Sequence, residues 1–99
     1  MSHEFRAGPP AAPRFKFGRT LITRGALAAL TDLDVFGALR RHGQGDWGNL
    51  DAHDRAENEW ALVHGERLLS KYRAESGTDF YVITERDRSA TTVLLPEEY

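Results

Sequence analysis

The sequence predicts a small α+β domain with the element order β-α-α-α-β-β-β, a small antiparallel sheet with helices packed on one face. Three observations predict it. Capping residues and glycines bracket three short amphipathic stretches between 23 and 65. The run Phe80–Glu85 (FYVITE) has the strongest strand composition in the chain. Short turns separate the last three apolar runs, and parallel strands need longer crossovers, so an antiparallel meander is expected there.

Residues 1–13 (MSHEFRAGPPAAP) hold Pro9, Pro10 and Pro13 and few apolar side chains. They are expected to form a flexible extension, with a single domain over 14–99. A strand is expected over about 14–22, because Phe15 and Phe17 alternate with Arg14, Lys16 and Gly18 before Leu21 and Ile22. Gly18 would mark a bulge. Thr23 suits the N-cap of a short helix carrying Ala26, Leu27 and Leu30, since its hydroxyl can accept from a free amide of the first turn. Asp32 is the expected N-cap of a second helix whose apolar row is Leu33, Phe36 and Leu39. Arg40 and Arg41 fall in its last turn, where they suit the helix dipole, and Gly43 suits its end.

The segment His42–Gly48 (HGQGDWG) must then be a tight, irregular loop. A third helix opens at Asn49 or Asp51 and closes at His64–Gly65. Ala52, Ala56, Trp60 and Val63 form one apolar stripe on it, and Leu62 points nearly the opposite way beside Asn58. The spacing leaves open which of the two faces meets the core. Strands over about 67–73, 80–85 and 91–95 follow, with turns at 75–79 and 86–89 and Pro96 stopping the last.

With 99 residues, the chain is one domain with a thin stability margin. The absence of cysteine excludes a disulfide scaffold, a thiolate zinc site and a cysteine nucleophile. No apolar run approaches the length of a membrane span, and the first residues have no apolar signal region, so a cytoplasmic location with no membrane contact is expected. The formal net charge of −2 argues against a basic nucleic-acid coat. It is unevenly spread: residues 1–45 carry seven bases and three acids, and residues 46–99 carry six bases and twelve acids. The dense acidic stretch 46–66 reads as a solvated helix face or as a surface for a basic partner.

No phosphate loop, dinucleotide fingerprint, nucleophile elbow or zinc-protease motif is present. His53 and Glu57 stand one helical turn apart and could share a metal or simply form a surface pair. His64 lies about 16 Å further along the axis, too far to join them. No metal and no cofactor are therefore expected. His42 with Asp46 could form a dyad across the glycine loop; His42 as a helix-end residue and Asp46 as a turn former explain them as well. Trp47 is expected to anchor the loop by burial. Phe15 and Phe17 between Arg14, Lys16 and Arg19 are the best nucleic-acid signal, and core–solvent alternation accounts for them equally.

Several stretches resemble a set of short bacterial proteins found on plasmids and integrated mobile elements, some carrying the label type I restriction subunit M. They are Arg14–Gly18, Gly25–Leu27, Leu39–His42, Gly45–Gly48, Asn58–Glu59, Arg67–Ser70, Val82–Glu85 and Asp87–Tyr99. The resemblance covers about 14–99 and implies a mobile-DNA context, with no activity and no catalytic residues to carry over.

The expected function is that of a non-enzymatic protein of a mobile element that acts by protein–protein contact, possible targets being a host restriction or CRISPR system. The alternative is a nucleic-acid-binding accessory protein using Arg14, Lys16, Arg19, Arg40 and Arg41. The partner-binding candidates are Leu69, Tyr81, Ile83, Arg40, Arg41, Asp46 and Trp47. Both faces of the meander carry apolar residues, and three short helices cover only one, expected to be the Val82 face. The face of Tyr81 and Ile83 is then expected to be a partly exposed patch, serving a homodimer or a host or element-encoded protein.

Overall fold

The computed structural model describes residues 2–4 and 12–99. Five strands, β1 (Ser2–Glu4), β2 (Arg19–Thr23), β3 (Leu68–Arg73), β4 (Asp79–Thr84) and β5 (Ala90–Leu94), form one sheet in the order β1-β2-β5-β4-β3. Three helices, α1 (Arg24–Ala29), α2 (Asp32–Gly43) and α3 (Ala52–His64), lie between β2 and β3, and a 3₁₀ turn (Pro96–Glu98) follows β5. The α+β class and the β3-β4-β5 meander stand as read from the sequence.

The sheet is mixed rather than wholly antiparallel, because β2 runs parallel to β5, with Leu21 opposite Thr92 and Ile22 opposite Val93. The outer edge of β3 explains this placement. The carbonyl of Trp47 accepts from the amide of Lys71 (3.1 Å), and the amide of Asn49 donates to the carbonyl of Lys71 (2.7 Å). The carboxamide of Asn58 occupies the backbone of Leu69 on the same edge. With that edge closed, β2 takes the other side of the meander.

Two further readings are amended. The first long strand is shorter than expected: Gly18 has φ of +65° and starts the turn into β2. A Cβ there would stand 2.3 Å from the backbone of Ser89. Residues 14–18 are outside any strand, with bends at Arg14 and Phe15, and the amide of Arg14 donates to the carbonyl of Gly43 (2.7 Å). The alternation is real as burial, Phe15 and Phe17 turning inward and Arg14, Lys16 and Gly18 outward, without a strand being formed. The extension is also not plain throughout, since Ser2–Glu4 pairs antiparallel with β2. The rest of that expectation, over 5–11, lies outside the described residues.

Helix boundaries follow local chemistry. Thr23 caps α1, accepting from the amide of Ala26. Thr31, rather than Asp32, caps α2: its hydroxyl accepts from the amide of Asp34, whose carboxylate accepts from the amide of Thr31 in return. Asp51 caps α3, and Gly65 ends it with φ of +70°. The buried row of α2 is Val35, Ala38, Leu39 and His42, not the expected Leu33–Phe36–Leu39 row, because Leu33 faces outward.

The core lies between the helices and one sheet face. That face presents Leu68, Ser70 and Tyr72 from β3, Phe80, Val82 and Thr84 from β4, and Thr91 and Val93 from β5, all buried. The Val82 face is therefore the helix-covered one. The opposite face is not the exposed patch expected around Ile83: Ile83 is 4% exposed and Leu94 7%. The C-terminal turn lies against β4, with the ring of Tyr99 edge-on to Tyr81 at 5.8 Å and the Arg67 guanidinium over Tyr99. Glu98 fixes this turn. Its carboxylate accepts from the Thr23 hydroxyl (2.5 Å), the Gly25 amide (2.9 Å) and the Leu95 amide (3.0 Å).

Candidate functional site

The glycine loop and the end of α2 hold the chain's most concentrated chemistry, and it is turned inward. His42 is fully buried, ringed by Phe15 (5.2 Å), Phe17 (5.8 Å) and Trp47 (5.7 Å) between ring centroids. Its Nδ1 is 2.6 Å from Ser70 Oγ and its Nε2 is 2.9 Å from Thr84 Oγ1. Thr84 Oγ1 is in turn 2.7 Å from Thr91 Oγ1, which donates to the carbonyl of Phe17 at 2.9 Å.

That last bond sets the direction of the chain. Because Thr91 donates to Phe17, its oxygen accepts from Thr84. Thr84 then accepts from His42 Nε2–H, and Nδ1 accepts from the Ser70 hydroxyl. The imidazole is thus assigned as the neutral Nε2–H tautomer. Burial, with the charge of Arg88 adding to it, pushes its pKa down to about 3. Ser70 and His42 form a buried pair with no solvent-facing atom, and their arrangement specifies a unique core.

The His42–Asp46 dyad does not form. Asp46 instead takes both arms of Arg41 (2.7 and 3.2 Å), which hold its carboxyl below the usual range. Arg41 also lies over the ring of Tyr72 at 4.7 Å, and the Tyr72 hydroxyl donates to the carbonyl of Asp46 (2.6 Å). Trp47 is 3% exposed, and its Nε1–H donates to Glu59 (2.8 Å). Glu59 also receives a bidentate contact from Arg14 (3.0 and 3.2 Å), which keeps its carboxyl low. Gly48 has φ of +77°, and a Cβ there would meet the carbonyl of Lys71 at 2.0 Å. The loop is therefore fitted to β3 at the level of its backbone.

Of the partner-binding candidates, the structure brings Arg41, Asp46 and Trp47 together in this loop, where each is engaged. Arg40 is exposed on α2. Leu69, Tyr81 and Ile83 share the second sheet face, where Ile83 is buried and the other two are half-buried.

Exposed large apolar side chains lie elsewhere: Leu27, Leu33 and Phe36 on α1 and α2, and Trp60 and Val63 on α3. The core side of α3 is Ala61 and Leu62, which pack with Trp47 and Leu68, and Asn58, which bonds the Leu69 backbone. The Ala52–Ala56–Trp60–Val63 stripe therefore faces solvent, with Trp60 53% and Val63 79% exposed. The Trp60 ring is stacked on His64 (4.2 Å, 17° between planes), and His64 Nδ1 lies 2.8 Å from the carbonyl of Trp60. His53 and Glu57 form an exposed pair at 3.6 Å and, with Ala56 and Trp60, line a shallow depression. The spacing revealed the stripe but not its orientation. Asn58 held that information, because a polar residue beside Leu62 and Ala61 makes sense only with an edge backbone to satisfy.

Among the described residues, no group of three or more histidines and carboxylates is placed to hold a metal ion, and no helix is long and apolar enough to cross a membrane. Neither a family model, nor a curated protein, nor a solved structure matches the chain.

Proposed function

We propose that the protein is a non-enzymatic interaction module of a bacterial mobile element that binds another protein through the outward face of α3. The observation that carries this reading is the solvent-facing stripe with Trp60 and Val63 at its centre. An exposed tryptophan held flat by a neighbouring ring is a typical anchor for a protein contact, because little side-chain entropy remains to be lost on binding. The groups that would otherwise invite a catalytic reading have structural duties: His42 and Ser70 in the buried chain, Asp46 on Arg41, and Glu59 on Arg14 and Trp47. The mobile-element context implied by the resemblance makes a host defence complex, restriction or CRISPR, the proposed target. The nucleic-acid alternative loses support, since Arg14 and Arg41 are already paired with Glu59 and Asp46.

A photo-cross-linking residue at position 63, with a second version at position 73 on the exposed end of β3, tests this in the bacterial host. Protein adducts at 63 and not at 73 are expected. Adducts to nucleic acid, or none at 63, would refute the reading.

A further inference from the structure

We infer that the outer edge of β2 is a strand-acceptor site, held in the free protein by β1. Its ligand is an extended segment of another protein, rich in β-branched or aromatic residues, added antiparallel in the place of β1. The site is separate from α3 and does not depend on the reading of that face.

Three observations point to it. First, the sheet is open to extension on one side. The edge of β3 is taken by the backbone of Trp47 and Asn49 and by the carboxamide of Asn58. The other side of the sheet ends in β1. Backbone N–H and C=O groups at a sheet edge are a template for a further strand.

Second, β1 fills the edge of β2 incompletely. It has 3 residues against 5 in β2, and its register runs Ser2 to Thr23, His3 to Ile22 and Glu4 to Leu21. Arg19 and Thr20 lie beyond that register. A longer segment can pair the whole of β2.

Third, the register sets polar residues against apolar ones. β2 offers Leu21 and Ile22, and the residues opposite are Glu4 and His3. Cross-strand pairs stabilise a ladder best when β-branched or aromatic residues oppose each other. A segment with valine or isoleucine at those two positions therefore pairs better than β1 does. The advantage of β1 is its tether: residues 5–18 hold it beside β2 at an effective concentration on the order of millimolar. The same arithmetic disfavours a second copy as occupant, because its β1 brings the same polar residues without the tether.

The test titrates the full chain with an alternating Val/Thr peptide of about seven residues, long enough to span β2, with a lysine at each end for solubility. A control peptide carries proline at its centre and lacks a ladder donor there. NMR is expected to show amide shifts centred on Arg19–Thr23 and loss of the contacts between Ser2–Glu4 and Leu21–Thr23. Two double variants move the competition in opposite directions. His3→Val with Glu4→Val improves β1 and should weaken peptide binding roughly threefold or more; His3→Gly with Glu4→Gly loosens β1 and should strengthen it by a similar factor.

Circular dichroism checks that both variants, which alter the short outer strand, stay folded. No shifts at Arg19–Thr23, shifts centred on β3, or equal binding of the proline peptide would overturn the inference. So would equal affinities in the two double variants. A chain that dimerises alone by exchanging residues 2–4, seen in ultracentrifugation, would make a second copy the occupant and overturn it as well.

Discussion

The carboxamide of Asn58 pairs with the backbone of Leu69 as one peptide group pairs with another. Its Nδ2–H donates to the Leu69 carbonyl (2.6 Å) and its Oδ1 accepts from the Leu69 amide (3.1 Å). The side chain thereby stands in for a neighbouring strand and closes an edge that would otherwise recruit one. Asn58→Ala leaves a part-buried donor and acceptor unmet, and should cost about 2–4 kcal/mol in urea unfolding. It should also raise concentration-dependent association in light scattering. A stable, monodisperse Asn58→Ala protein would mean that water satisfies the edge equally well.

His42 makes stability depend on pH in a defined window. Folded, it takes a proton only near pH 3; in the unfolded chain it does so near its ordinary 6.5. Above 6.5 neither state is charged and the group contributes no pH dependence. As pH falls from 6.5 towards 3, the unfolded state binds a proton that the folded state refuses, so stability drops, with a slope approaching ~1.4 kcal/mol per pH unit. The carboxylates of Glu59, Asp46 and Glu98 are held low and lose their contributions only at more acidic pH. Between 6.5 and 5, comparison with a His42→Gln variant therefore reports on His42. Denaturant midpoints across it should fall in the wild type and fall less in His42→Gln. In the wild type, imidazole ¹⁵N shifts should show a neutral Nε2–H ring at pH 5.

Two glycines with similar backbone should respond differently to alanine. Gly65 (φ +70°) has open space around it, so Gly65→Ala should cost about 1 kcal/mol from strain alone. Gly48 (φ +77°) faces the Lys71 carbonyl and the Tyr72 ring, so Gly48→Ala must also push the loop off β3. A loss of roughly 3 kcal/mol or more is expected, the size of a disrupted core. Equal losses in the two variants, by thermal unfolding, would show that the loop seat is soft.

Trp47→Ala should cost about 3 kcal/mol or more, because it empties a buried site shared by Phe15, Ala61 and Leu68. Trp47→Phe keeps most of the packing and loses the Nε1–H bond to Glu59, so it should cost about 1–2 kcal/mol. An alanine variant with wild-type stability would contradict the loop's role as an anchored element.

Removing residues 96–99 should uncover Tyr81 on the Ile83 face and release the Glu98 contacts at Thr23 and Gly25. Lower stability and new self-association are expected. Glu98→Gln separates the two effects, since it keeps the cover and weakens the bond to Gly25. It should destabilise without causing association in analytical ultracentrifugation.

What could be read from the sequence was what local chemistry decides. Thr23 and Asp51 announce helix starts, Gly65 announces an end, and the alternation in Phe80–Thr84 announces a strand. What could not be read depends on distant partners. The true core row of α2, Val35–Ala38–Leu39–His42, has regular helical spacing but ends in a polar residue that looks fit for solvent. Its hydroxyl partners were visible in principle: Ser70, Thr84 and Thr91 all occupy the positions that share a face with Val82. Nothing local could place β2 beside β5, or say that Tyr99 would pack on Tyr81, because both depend on which sheet surfaces remain open once the helices are seated.

The bonds from Thr91 to Phe17 and from Thr23 to Glu98 join residues 74 and 75 positions apart. Such long loops carry an entropy cost before any contact repays it. On the ribosome, β2 therefore has no β5 to pair with until nearly all the residues between them have been made. The helices, with α1 capped locally by Thr23, and β3–β4 can assemble early, but the pairing of β2 with β5 and the Glu98 contacts at Thr23 and Gly25 must wait. Closure of β2 onto β5 is then a late step in folding. A synthesis that stops before β5 leaves an open sheet edge rather than a smaller finished domain, a species for quality-control proteases to remove.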